Sequence, residues 1–123
     1  MSEPTIVHLG CTGHFIGAPH CRYHRHTQIE TASGGFRIST VGNLYWPHKP
    51  DKRESFGLGG EFFFETYVFK ITNRPAEDSE GCGCREVEEW SEIDGVRCTT
   101  AGEAQAQHER MVAEYTERAK RAA

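Results

Sequence analysis

The chain has 123 residues, 37% apolar and 26% charged, which is the size and make-up of one ordinary globular domain spanning residues 1–123. A net charge of −4 excludes the strongly basic footprint of a general nucleic-acid binder, and no apolar run approaches the roughly 20 residues of a membrane-spanning helix. Met1-Ser2-Glu3-Pro4 has neither the basic nor the apolar region of a secretory signal, so an odd count of five cysteines is expected in a reducing cytoplasm, as thiols or metal ligands.

The first expected element is the short β run Thr5-Ile6-Val7-His8-Leu9, ended by the glycine-rich stretch Gly10 to Gly17. Gly10-Cys11-Thr12-Gly13 after a strand superficially resembles a phosphate-cradling loop. Such a loop must open a helix, and Ala18-Pro19-His20 followed by a strand pattern fails that test. From Cys21 to Thr31 the residues alternate: Cys21, Tyr23, Arg25, Thr27 and Ile29 fall on one side, and Arg22, His24, His26, Gln28 and Glu30 on the other. Ala32-Ser33-Gly34-Gly35 is a turn signal and Phe36 to Val41 a second β run, which together predict a hairpin.

Tyr45 to Gly60, broken by Trp46-Pro47, Lys49-Pro50 and Gly59-Gly60, reads as a long exposed excursion. Glu61 to Thr72 is the strongest strand. Phe62, Phe64 and Val68 lie on one face and Phe63, Tyr67, Phe69 and Ile71 on the other, so the strand is expected in the centre of a sheet covered on both sides. Glu61 and Glu65 share a face with Phe63 and Tyr67; a carboxylate in apolar company can have a functional role, and the default reading is that one of them lies at the strand end and is solvated. Asn73 to Glu80 is a polar linker, Glu86 to Ile93 fits a short helix or a strand, and Asp94-Gly95 is a turn. Thr100-Ala101-Gly102-Glu103 forms a capping box, followed by the helical stripe Ala104, His108, Met111, Val112, Tyr115 and Ala119. The resulting expectation is an α+β fold: a small antiparallel sheet with a long C-terminal helix packed on it and Cys/His-rich loops.

The cysteines and seven histidines are bunched, and thiolates with imidazoles at short spacing are the donor set of zinc. Cys82-Gly83-Cys84, with Cys98 and the inward-facing His108, would make a Cys3His site. Its spacing is not that of a standard finger, and the competing reading is a hydrogen-bonded core histidine with buried thiols. Cys11, His14 and Cys21 form a second candidate set; His24 and His26 fall on the strand face opposite Cys21.

Charge is uneven. Residues 20–53 hold six Lys or Arg against two acids, whereas residues 77–94 hold eight acids against Arg85 alone. In the basic stretches, cations interleave with rings: Arg22, Tyr23, His24, Arg25 and His26, then Tyr45, Trp46, Lys49, Lys52 and Arg53. Rings stack on bases while guanidinium and ammonium groups hold phosphates, which makes these ten residues the candidate ligand surface.

His8 to His14, Cys21 to Gln28, Phe36 to Gly42, Phe64 to Phe69 and Gly81-Cys82-Gly83-Cys84 resemble parts of small uncharacterised proteins encoded by phages and prophages. The resemblance implies an accessory role in the host cell cytoplasm, such as modulation of host machinery or defence, and assigns no catalytic residue. The expected function is a zinc-stabilised binding protein that engages a nucleotide, nucleic acid or host protein. One alternative is a metal-dependent or cysteine enzyme acting on a small or nucleotide substrate; another is a virion or assembly component. Homo-oligomerisation is left open.

Overall fold

Alternation and capping translate directly into most of the elements. The structure, a computed structural model, describes residues 3–10, 20–56, 60–76 and 83–122. In these residues the order is β1 (Thr5–Leu9), β2 (Cys21–Thr31), β3 (Gly34–Leu44), β4 (Phe64–Pro75), β5 (Arg85–Val87), β6 (Asp94–Cys98) and α1 (Ala101–Ala122). All pairings are antiparallel, in the order β1-β2-β3-β4. Beyond β4 the last position is shared: β6 pairs with Phe64 to Val68, and β5 with Ile71 and Pro75. The fold is the expected α+β arrangement of an antiparallel sheet under one C-terminal helix.

Ala32 and Ser33 form the turn between β2 and β3. The two glycines that follow have φ of +144° and +123°. A side chain on Gly34 would strike the carbonyl of Ile71, and one on Gly35 the carbonyl of Ile29, so only glycine lets the hairpin close this tightly against β4. Its register places Thr27 opposite Ile38 and Ile29 opposite Phe36.

α1 begins at the capping box. The Glu103 amide donates to the Thr100 hydroxyl and the Thr100 amide to the Glu103 carboxylate, each at 3.2 Å, which satisfies two of the donors a helix start leaves unpaired. The stripe then buries Ala104, His108, Met111, Tyr115 and Ala119. Met111, Tyr115 and Ala119 pack on Ile29, Ile38 and Val68, while Ala104 packs on Phe64 and Cys98. Tyr115 meets Phe36 edge-on at 5.0 Å and its hydroxyl donates to Asp94 at 2.9 Å. A buried phenol therefore keeps its hydrogen bond while its ring fills the core. No helix among the described residues is long and apolar enough to cross a membrane.

Two elements differ from expectation. β4 starts at Phe64 rather than Glu61 and continues to Pro75; it lies between β3 and the β5/β6 pair, as a central strand should. Its helix side is buried at Phe64, Thr66 and Val68, whereas Tyr67 and Phe69 on the opposite side are half-exposed. Asp94-Gly95 opens a strand instead of making a free turn, and of the ambiguous 86–93 region only Glu86 and Val87 are strand, as the end of β5. The physical reason is the second edge of β4. Its backbone groups need partners, and Asp94 to Cys98 supplies them in register.

Candidate functional site

After Leu44 the chain leaves the sheet, touches it again at Glu54 through a bridge to Leu44, and resumes as a strand at Phe64; the site is built from the described residues of this excursion. Its entry is Asn43, whose φ of +54° is the left-handed conformation that asparagine tolerates better than most residues. The Tyr45 amide donates to the His20 carbonyl at 3.1 Å and the Glu54 amide to that of Leu44 at 2.8 Å, so the 45–54 part of the loop is tied back at both its ends beside the hairpin. Trp46 and Phe56 pack on Cys21, Val41 and Leu44. These two rings anchor the loop, and its charged residues are left on the outside.

Lys49, Lys52 and Arg53 are all exposed and line one hollow of about 420 Å³ together with Glu54, Ser55, Gly60 and Phe63. Turn hydrogen bonds from Lys49 to the Trp46 carbonyl (2.9 Å) and from Lys52 to the Lys49 carbonyl (3.3 Å) shape this wall. The Arg53 guanidinium lies 3.7 Å over the Phe63 ring and donates to Asn43 Oδ1 at 2.9 Å. Among the described residues none of the three cations has a carboxylate partner, which leaves their charge directed at solvent. Arg22 supports the loop from the side. It stacks 3.6 Å over Tyr45 and donates to the Pro50 carbonyl at 3.3 Å. The arrangement is a cationic pocket with an aromatic floor.

Of the ten candidate ligand residues, Arg22, Tyr45, Trp46, Lys49, Lys52 and Arg53 come together here, with Trp46 acting as an anchor rather than an open stacking ring. The other four are placed elsewhere. Tyr23 packs edge-on against Phe64 at 5.4 Å, under the helix. Arg25 lines a groove between β1 and α1. His26 is buried, with His24 at 6.0 Å. Strand alternation sends neighbours in sequence to opposite sides of the sheet, and that splits the cluster. Phe63 was missed as a site residue because it looked like a core position of the strand.

The zinc candidates are also placed apart. Cys82, Cys11 and His14 lie outside the described residues. Cys98 pairs with Phe64 at one end of β4, and Arg85, the neighbour of Cys84, pairs with Pro75 at the other. At about 3.3 Å per residue that separation is on the order of 30 Å, so Cys84 and Cys98 cannot bind one ion. His108 is 2% exposed, and both its ring nitrogens face threonines, Nε2 to the Thr27 hydroxyl at 2.8 Å and Nδ1 to that of Thr40 at 2.7 Å. The Cys82, Cys84, Cys98 and His108 quartet is thereby corrected: His108 is a hydrogen-bonded core histidine. Among the described residues no three His, Cys, Asp or Glu side chains gather as a ligand set.

Two thiols are held in the protonated form. Burial pushes Cys21 up to about 11, helped by the negative charge of Glu65, and burial with Glu103 raises Cys98. Raised thiols are poor nucleophiles, and this weighs against a cysteine enzyme built on either residue. Burial also raises Glu65, against the lowering effect of its hydrogen bonds to Tyr67 and Arg97; Arg97 reaches Glu65 at 3.4 Å and the Tyr67 hydroxyl at 3.0 Å. The carboxylate is therefore tied into a side-chain cluster rather than solvated.

Cys84 sits in a second polar arrangement, on the sheet face opposite the helix. Gln28, fully buried, donates to the Gly83 carbonyl at 3.1 Å and accepts from the Arg85 amide at 2.8 Å. Arg37 donates to the Arg85 carbonyl at 2.7 Å, and Arg85 donates to the carbonyls of Thr31 and Gly34 at 2.8 Å each. The segment before β5 is thus tied across the β2–β3 hairpin by side chains that replace ladder hydrogen bonds. No protein family, curated protein or solved structure matches the chain, and function is read from this geometry.

Proposed function

We propose that this is a binding protein for a phosphate-bearing ligand, a nucleotide or a single strand of nucleic acid, held by the 45–63 loop. The observation that carries the reading is the convergence of Lys49, Lys52 and Arg53, without carboxylate partners, beside the Phe63 ring. Cations neutralise phosphates, and the Arg53 guanidinium held over the Phe63 ring offers its outer face for a base to stack on. Overall acidity is compatible with this role because the positive charge is local: repulsion elsewhere on the chain limits non-specific association and leaves one favourable approach. The likeness to small phage and prophage proteins suits an accessory role of this kind in a host cytoplasm.

The test is fluorescence anisotropy with labelled mononucleotides and short single-stranded DNA and RNA at 50 to 200 mM salt. Three phosphate contacts to a single strand give a log–log salt slope of about −2, roughly a twenty-fold loss of affinity over that range. Lys49→Ala, Lys52→Ala and Arg53→Ala combined should remove most of both affinity and slope, and Phe63→Ala should weaken binding without changing the slope. Binding that keeps its full slope in the triple variant would refute the assignment.

A further inference from the structure

A second opening lies on the other side of the sheet, where edge strand β1 runs beside α1. It is a groove of about 340 Å³ with a mostly apolar lining, at the small end of ligand-binding pockets. Ile6, Val112 and Ala113 form its walls, and Ile6 is 44% exposed, one of three large apolar side chains among the described residues that remain so open. Its floor is polar and fixed. His8 Nδ1 meets the Thr27 hydroxyl at 3.1 Å, and Thr27 in turn meets His108, so the floor has little freedom to rearrange.

Arg25 separates this groove from a mere packing gap. It is half-buried and lines the groove, yet it has no hydrogen bond or ion pair among the described residues. An unpaired guanidinium on the lining of a groove is available to an anion, and its planar fork matches a carboxylate. The rim acids are exposed and already engaged: Glu117 with Lys120 at 3.4 Å, Glu109 with Gln105 at 3.4 Å. Two carboxylates near the mouth would repel a multiply charged phosphate more than a singly charged head. We propose that the β1–α1 groove is a separate ligand site for a small molecule with an apolar body and a single carboxylate head, which Arg25 binds.

The experiment is an NMR titration of the full chain with octanoate, and with octylamine, 1-octanol and octyl phosphate as comparison probes. Octanoate should give saturable shifts centred on Ile6, His108, Val112 and Ala113. Arg25→Gln should weaken it by at least about tenfold, the scale of a lost charge-assisted pair. Arg25→Lys, which keeps the charge but not the fork, should fall between the two. Ala113→Leu, at an exposed and helix-compatible position, should block the groove while leaving the melting temperature unchanged, so the test survives if an Arg25 variant does not fold. Octanoate binding that is absent at about 10 mM, equal to that of octylamine or 1-octanol, weaker than that of octyl phosphate, or unchanged by Arg25→Gln or by Ala113→Leu would each overturn the proposal. The loop triple variant should bind octanoate normally, which makes this result independent of the phosphate site.

Discussion

The two faces of the sheet are buried by different means. Under α1, Ile29, Ile38, Val68, Phe64 and the ring of Tyr115 exclude water by apolar packing, and a short file of hydroxyls and one imidazole, Thr27, His108, Thr40 and Thr66, fills the polar remainder. On the opposite face, Gln28, Arg37 and Arg85 fasten the 83–85 segment through backbone carbonyls and an amide, and Arg85 lies 3.5 Å from Glu30. The first face resists loss of volume; the second resists loss of a specific donor or acceptor. Burial by itself therefore does not say which kind of substitution a position tolerates.

The contrast is tested most strongly by two phenylalanines five positions apart on β4. Phe64 is 2% exposed on the helix side, and Phe64→Ala is expected to cost about 3–5 kcal/mol in chemical denaturation. Phe69, half-exposed on the other side and edge-on to Trp90 at 5.3 Å, should cost distinctly less. Equal losses would show that the two faces do not differ as described.

His108 sharpens the comparison through pH. Burial, with the positive charge of Arg25 on β2 and His8 on β1, holds it down to about 4 from an ordinary 6.5, against a small opposing effect of Glu109 on α1. The unfolded chain then binds the extra proton first, so stability is complete above about pH 6.5 and is lost as pH falls toward 4. The full loss is about 3 kcal/mol. The hydroxyls of Thr27 and Thr40 could both accept from a charged ring, so the cost lies in desolvation rather than in lost hydrogen bonds. His108→Gln should flatten this part of the stability profile, and an unchanged slope would locate the sensitivity elsewhere.

A polar change on the opposite face should have a smaller and local effect. Gln28→Leu keeps volume but strands the Gly83 carbonyl and the Arg85 amide, at an expected cost of about 1–3 kcal/mol. Hydrogen exchange should accelerate at the Arg85 amide and not along α1. Smallest of all, Thr100→Ala removes the helix cap and should cost about 1 kcal/mol, visible as fraying of the first turn of α1.

Residues that share a local period were legible in the sequence. β1, the β2–β3 hairpin, the capping box and the inward face of α1, His108 included, follow from alternation, turn chemistry and a 3.6-residue repeat, each decided by neighbours within a few positions. The concentration of cations in 45–53 was legible for the same reason. What those residues face was not. Alternation assigns Arg22 and Arg25 to opposite sides of β2 without saying that one side meets the excursion and the other meets α1. Only the pairing of β4 with both β5 and β6 puts Cys84 and Cys98 at opposite ends of one strand. A ligand set depends on distances between segments far apart in the chain, and those distances are properties of strand order and register, which no local spacing encodes.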